Sequence, residues 1–245
     1  MHSREASNYD FKMPHSFKRL DILLPQRAIL NALVDQLPQF SGTLLDVGCG
    51  RMPYKQLLLA PPSRVTTYIG MDMDNGQYSS FGPFDLSWDG CSIPLDDNSV
   101  NCAIATEVFE QCPHPERVMR EVVRILKPGG LFFFTVPFLW PIHDPPFDQY
   151  RFTPFALDRH LRNSGFIDIQ LKTLGGWDAS LAQMIALWVR RRSMKRFWRM
   201  VLAATVLPIV QLLAKLDRPP ASLKQYQATV MITGLSGTAA KSQIP

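Results

Sequence analysis

The chain has 245 residues, 46% of them hydrophobic and 19% charged, with 26 basic and 21 acidic side chains for a formal charge of +5. That length supports one globular domain with an appendage, and 11% aromatic content with glycine in no repeating period excludes a disordered, collagenous or coiled-coil chain. The charge is uneven: residues 185–224 hold nine of the basic residues and one acid, so that segment is +8 and the remainder is −3.

Leucine and isoleucine from Leu20 to Leu37 form a helix-like stripe, with Pro25 expected to open its second half and Pro38 to end it. Residues 43–47 read as a buried strand running into Gly48-Cys49-Gly50, and 54–59 as a helix. Further strands are expected at 65–71, near 84–86, and at 100–106. Residues 115–126 read as an amphipathic helix, 127–130 (KPGG) as a turn, and 131–136 as a very apolar fifth strand. Five prolines between 137 and 154 mark a restricted loop. A helix at 155–163, a stop at Gly165 and a strand at 166–174 follow, then the basic segment, with a last strand expected at 228–234 (ATVMITG). Strands alternating with helices over this span predict βαβ units and a parallel sheet covered on both faces. The expected domains are a tail and helical preface (1–40), a cofactor-binding core (41–175), a helical lid or membrane-contact insertion (176–225), and a last strand with tail (226–245).

The cysteines Cys49, Cys91, Cys102 and Cys112 form neither a CxxC pair nor a zinc-finger spacing, so no metal site is expected. Residues 1–20 carry scattered charges and no apolar core, which reads as no secretory signal and a reducing, cytoplasmic compartment. The most apolar stretch, 200–213, spans about 21 Å as a helix, short of the ~30 Å hydrocarbon core, so a buried or interfacial helix is expected there.

A strand that ends in glycines opening a helix lets a ligand approach the backbone closely. An acid near the end of the second strand suits ribose hydroxyls; Asp72 stands there, with Asp74 the alternative. The third glycine of a dinucleotide fingerprint is replaced by Pro53, which disfavours an NAD-dependent oxidoreductase, and the GK[ST] of a phosphate loop is absent. Asp46, two residues before the first glycine, suits a ligand carrying a cationic or hydrogen-donating group.

The blocks LLDVGCG (44–50), YIGMDMD (68–74) and 88–137, from WDGCSIP through ILKPGG to FFFTVP, resemble the class I S-adenosylmethionine-dependent methyltransferases of the type 11 kind. The resemblance implies an α/β, Rossmann-like, doubly wound seven-stranded sheet of order 3-2-1-4-5-7-6, strand seven antiparallel, with the helical insertion between strands six and seven. It implies S-adenosyl-L-methionine as cofactor. Asp46, Gly48, Cys49 and Gly50 would cradle its methionine part, and Asp72, with Met73 beside it, would take the ribose. Asp89, opening the block Asp89-Gly90-Cys91-Ser92-Ile93-Pro94, would accept from the adenine amino group with Gly90 or Trp88 beside the ring, and Glu107 would line the pocket. Many relatives have Glu-His where this chain has Glu110-Gln111, so a metal role is not expected.

The loop 137–154 resembles a pattern in bacterial methyltransferases of surface-polysaccharide or lipid-linked metabolism. Within it, His143 is a candidate base, Asp144 or Asp148 its orienting acid, and Tyr150 and Arg151 candidate anchors for an anionic substrate. Arg192, Lys195, Arg196 and Arg199 are spaced to share one helix face near Trp188, Phe197 and Trp198, which suits an anionic membrane surface along 190–199 better than nucleic acid. The expected activity is methyl transfer to an oxygen or nitrogen of a small-molecule, glycan or lipid-linked acceptor. The competing expectation is a non-catalytic protein of the same fold, acting as an interaction module at the membrane.

Overall fold

The structure, a computed structural model, describes residues 19–73, 84–219 and 230–243. Among them seven strands form one sheet: β1 (Ser41–Val47), β2 (Arg64–Met73), β3 (Leu86–Trp88), β4 (Val100–Thr106), β5 (Leu126–Pro137), β6 (Phe166–Thr173) and β7 (Gly234–Lys241). Their spatial order is β3-β2-β1-β4-β5-β7-β6, with β7 antiparallel, as expected. The helices are α1 (Leu20–Val34), α2 (Lys55–Leu58), α3 (Pro115–Ile125), α4 (Pro154–Asn163), α5 (Trp177–Arg191) and α6 (Arg196–Leu216).

The central strands are apolar on both faces because both faces are covered. Leu44, Leu45, Val47, Cys102, Ala103, Ile104, Ala105, Phe132, Phe133, Phe134 and Val136 are all buried. β1 pairs in parallel with β2 and β4, bringing Asp46 opposite Gly70 on one side and Ile104 on the other. The turn after β1 therefore opens at the carboxyl edge of the sheet, where α/β folds bind ligands. Pro115 opens α3, which buries Val118, Met119, Val122 and Ile125. Arg124, near its end, donates to Glu121, to Asp97 and to the carbonyls of Ile93 and Leu95. Glu121 in turn accepts from the Ile93 N–H. This network holds the segment after β3 beside the glycine turn's edge of the sheet.

Four expected boundaries are corrected. The turn expected at 127–130 is absorbed into β5, which begins at Leu126 and shifts register between the β4 residues Val100 and Cys102. The last strand is Gly234–Lys241 rather than 228–234; of the earlier range, 228 and 229 lie outside the described residues and 230–233 are not strand. Close approach selects the later segment: a Cβ on Gly237 would stand 2.6 Å from Phe134 Cζ and 2.7 Å from Leu171 Cδ2, so the strand between β5 and β6 needs a residue without a side chain there. α1 is continuous through Pro25. The fourth correction concerns the basic segment, below.

The chain divides into two compact units, one holding the sheet and the other gathering α1, α5 and α6. In the helical unit Leu20, Ala182, Ala186, Val189, Ala203 and Val210 form one buried cluster, with three alanines where α5 and α6 meet. Pro25 has no N–H for the carbonyl of Asp21 four residues earlier; the side chain of Gln183, fully buried, donates to that carbonyl at 2.9 Å instead. The Asp21 carboxylate is buried and pairs with Arg191 at 2.7 Å and Arg190 at 3.7 Å. Asp217, just past α6, caps α5 by accepting from Gly176 N–H (2.9 Å) and Ala179 N–H (3.0 Å). α5 and α6 thus form a closed hairpin.

The basic residues do not share one helix face. α5 ends at Arg191, residues 192–195 are the non-helical connection, and α6 starts at Arg196. Cations at the end of α5 complement its dipole, and the apolar run that follows buries Ala203 and Val210 by folding back on α5. Arg199 closes the connection by donating to the carbonyls of Arg192 and Met194. α6 is also longer than expected: its 21 residues span about 31 Å.

Candidate active site

A cavity of about 350 Å³ at the carboxyl edge of the sheet is lined by the glycine turn, by the ends of β2 and β3, and by the segments after β3 and β4. Gly48 stands at φ +66° and a Cβ there would meet Val108 Cγ2 at 2.7 Å, so only glycine fits the turn. Gly50, also at positive φ, has nothing within 4 Å of where a Cβ would stand, which leaves its Cα open to a ligand. Its N–H donates to Asp72 Oδ2 at 2.6 Å, and Met73 N–H donates to Asp72 Oδ1 at 2.7 Å. Asp72 and Met73 both line the cavity, so the carboxylate that ties the glycine turn to β2 also faces the ligand space. The alternative acid, Asp74, lies outside the described residues.

Asp46 is 1% exposed. One carboxylate oxygen accepts from the Tyr68 hydroxyl and the other, Oδ1, has no hydrogen-bond partner. Burial pushes its carboxyl up to about 7, against the lowering effect of Tyr68, with the charge of Asp72 adding to the rise. The Cys49 side chain is buried, and its Sγ would lie 3.1 Å from a Cβ on Gly70. Burial, then the charges of Asp46 and Asp72, push the Cys49 thiol up to about 12, so it is a packing group beneath the turn.

Trp88, Asp89 and Gly90 bring the block after β3 to the same cavity. The indole Nε1 of Trp88 is buried without a partner. Asp89 Oδ1 accepts from the N–H groups of Cys91 and Ser92, both at 2.7 Å, so the residue shapes its own turn; these bonds, Ser92's first, hold its carboxyl below the usual range.

The segment after β4 carries two buried acids. Glu107 lines the cavity at φ +57°, a strained conformation for a non-glycine residue. Its Oε1 accepts from the Thr135 hydroxyl at 2.9 Å. Burial raises its carboxyl to about 7, partly offset by Thr135 and by the charge of Arg151. Glu110, which the sequence reading left without a role, is fully buried with neither carboxylate oxygen hydrogen-bonded. Burial pushes its carboxyl well above the usual carboxylate range, and the charge of Glu107 pushes it further.

The proline-rich loop is tied to this segment through the Glu110 carbonyl, which accepts from the N–H groups of Gln149 (2.7 Å) and Tyr150 (3.1 Å). His143 Nε2 lies 3.5 Å from Gln111 Nε2 and 3.9 Å from Glu110 Oε1. Asp148 accepts from the His143 main-chain N–H at 3.1 Å and stands 3.2 Å from the ring Nδ1, at a direction that does not form a hydrogen bond. Asp148 thus supplies a carboxylate beside His143; Asp144, the other candidate, stands at φ +45°. Arg151 grips Asp148 with both terminal nitrogens (2.6 and 2.9 Å) and donates to the carbonyls of Tyr150 and Pro141. The Tyr150 hydroxyl donates to the Pro113 carbonyl and its ring stacks on Phe152. Both proposed substrate anchors are therefore engaged in knitting the loop.

Because the Asp148 side chain is only 3% exposed, Arg151→Ala is expected to strand a buried carboxylate and lower stability by about 3 kcal/mol. For a chain of this size that is a Tm drop of roughly 6–12 °C, read by calorimetry; Arg151→Lys, which keeps the charge without the two-pronged geometry, is expected to recover part of it. An unchanged Tm in Arg151→Ala would show that the loop is held elsewhere.

The residues present fit S-adenosylmethionine. The cavity offers an open glycine turn for a close approach, a carboxylate at Asp72, and an indole wall at Trp88, while Asp46, two residues before the turn and not itself on the cavity wall, keeps one buried carboxylate oxygen without a partner. Among the described residues no group of three His, Cys, Asp or Glu side chains is arranged to hold a metal ion.

Residues 45–134 match the family model described as a methyltransferase domain. An uncharacterized methyltransferase of Mycobacterium bovis BCG is 30% identical over 139 residues, covering 52% of this chain and 53% of that protein. The chain spans about half the length of the curated relatives it matches. A Thermotoga maritima SAM-dependent methyltransferase, described as a possible histamine N-methyltransferase, superposes with a TM-score of 0.56 at 16% identity, over 90% of this chain and 92% of that one. The Haemonchus contortus phosphoethanolamine N-methyltransferase 2, solved with phosphomonomethylethanolamine and S-adenosylhomocysteine, gives 0.54 at 14% identity over 93% of this chain and 60% of that one.

Proposed function

We propose that this chain, whose residues 45–134 match a methyltransferase domain and whose fold is that of class I S-adenosylmethionine-dependent methyltransferases, moves a methyl group from that cofactor to an oxygen or nitrogen of a small-molecule, glycan or lipid-linked acceptor. The observation that carries the reading is the pairing of an open glycine turn with two carboxylates, Asp46 with its unpartnered oxygen and Asp72 on the cavity wall.

When bound, the cofactor supplies a methyl group on a sulfonium, already activated for in-line displacement. The chain's part is to position the acceptor and take its proton. Asp46 and Asp72 hold the cofactor's donor groups, and Trp88 packs against its flat base. Glu107 lines the cavity and titrates near 7, so at neutral pH a fraction of the carboxyls is ionised and able to accept a proton. Thr135 aims that carboxylate by donating to Oε1. His143, beside the cavity-lining Gln111, is the second candidate proton acceptor, with Asp148 beside its ring. Supporting this division of labour, the loop 137–154 is built by Arg151–Asp148 and Tyr150–Pro113 into a fixed frame.

Calorimetry with S-adenosylmethionine and S-adenosylhomocysteine is expected to show one-to-one binding to the purified chain. Labelled methyl transfer to a metabolite and lipid extract then identifies the acceptor class. Binding of neither compound would defeat the reading, and binding with no transfer to any extract would favour a non-catalytic protein of the same fold.

A further inference from the structure

We propose that the α5–α6 hairpin docks in the plane of an anionic lipid bilayer, with its basic connection among the headgroups. Four observations converge on that surface. α6 carries three charged side chains, Arg196, Arg199 and Lys215, in 21 otherwise largely apolar residues, yet buries only Ala203 and Val210. Phe197, Trp198, Met200, Ile209, Leu212 and Leu216 on this helix are each more than half exposed or at that mark. On α5, Trp177, Leu181, Met184 and Trp188 are exposed too, and at 3.6 residues per turn they fall within an arc of about 60°. Residues 179–216 contain no acid and seven basic side chains.

The charge is arranged as a headgroup surface requires. Arg190 and Arg191 share the buried Asp21, while Arg192, Lys195 and Arg196 lie exposed on and beside the connection. Arg192 stands 4.3 Å over the Trp188 ring, and Phe197 packs edge-on against Trp198. Amphipathic aromatics beside cations are the side chains that settle at the boundary between acyl chains and headgroups.

The same structure argues for lying on the bilayer rather than crossing it. Asp217 ties the end of α6 to the start of α5, and Ala203 and Val210 pack into the cluster that α5 shares with α1. A crossing by α6 would draw the Asp21–Arg191 pair and Gln183 toward hydrocarbon, where such groups are costly. A second copy is the poorer occupant, because it would bring one acid-free segment against another.

The test is co-sedimentation with phosphatidylcholine vesicles, with and without a third of phosphatidylglycerol, at low and high salt. Binding is expected only to the anionic vesicles and is expected to weaken with salt. Each exposed cation multiplies partitioning about five-fold. The charge-reversed variant R192E/K195E/R196E is therefore expected to lose ~100-fold or more, and W188S/F197S/W198S to lose binding even at low salt. Both variants are expected to keep their Tm and their affinity for S-adenosylmethionine, which separates this surface from the methyl-transfer reading. No binding to anionic vesicles, or equal binding to neutral ones, would overturn the proposal. So would preferential binding to duplex DNA, a concentration-dependent dimer abolished by the aromatic substitutions, or protease protection of α6 across sealed vesicles.

Discussion

Asp46→Asn is expected to make the ligand-free protein more stable at pH 8 and at the same time to weaken S-adenosylmethionine binding ten-fold or more. The folded chain keeps the Asp46 proton up to about 7, whereas the unfolded chain releases it near the ordinary carboxylate value of 3.8. Between those values the unfolded state binds fewer protons, so stability falls as pH rises from about 4 to about 7 and is flat above. At about 1.4 kcal/mol per pKa unit, an ionised Asp46 costs the free protein on the order of 4 kcal/mol at pH 8. The asparagine carbonyl can still accept from Tyr68 without a charge to desolvate, so melting curves of the two proteins should differ by several degrees at pH 8 and converge near pH 5. Binding runs the other way. A hydrogen-donating or cationic group at the free Oδ1 favours the carboxylate, so the affinity of the unsubstituted protein should rise with pH through about 7 while that of the variant stays flat. Equal affinities at pH 8 would remove Asp46 from the cofactor site.

Glu107→Gln is expected to lower kcat by 10²–10⁴, the usual range for a lost general base, with cofactor affinity nearly unchanged. The sign of the pH dependence follows from its role: a proton acceptor works only when ionised, so the rate should climb with pH with a midpoint at about 7, and that limb should vanish in the glutamine variant. Thr135→Val tests the same group without removing it. The Thr135 hydroxyl lowers the Glu107 carboxyl, so its loss should move the limb to higher pH. If kcat and the limb both survive in Glu107→Gln, the proton passes to His143, and His143→Asn should then carry the loss.

Much of the sheet can be read from residue pattern alone, because strands buried on both faces are apolar runs: LLDV, VNCAIAT and LFFFTV each announce themselves. β7 does not, since a strand squeezed between β5 and β6 is built of Gly, Ser, Thr and Ala, residues that on propensity lose to the neighbouring ATVMITG. The helix through Pro25 was equally hidden, because the carbonyl it orphans is served by Gln183, far away in the chain. In the site, the acids flanking the glycines are visible as motif positions, and the structure brings Gly48, Gly50, Asp72, Met73, Asp89, Gly90 and Glu107 to one cavity. What the sequence hides is how each acid is treated. The Tyr68 bond to Asp46, the burial of Glu110, and the Arg151 grip on Asp148 depend on side chains converging from separate elements. Arg151 and Tyr150 read as substrate anchors because a lone motif gives no view of the partners that already occupy them.

The Gln183–Asp21 bond joins residues 162 positions apart, and this has a consequence for synthesis. α1 leaves the ribosome long before α5 and α6, the elements it packs with. At 5–20 residues per second the delay is roughly 8–30 s, during which Leu20, Leu24 and the proline-broken backbone at Asp21 have no partner from that cluster. The sheet's central strands, close together in sequence, can assemble in the meantime. The helical unit therefore closes only after β1 to β5 have left the ribosome, and the sheet is completed later still, because β7 follows α6 in the chain and inserts between β5 and β6.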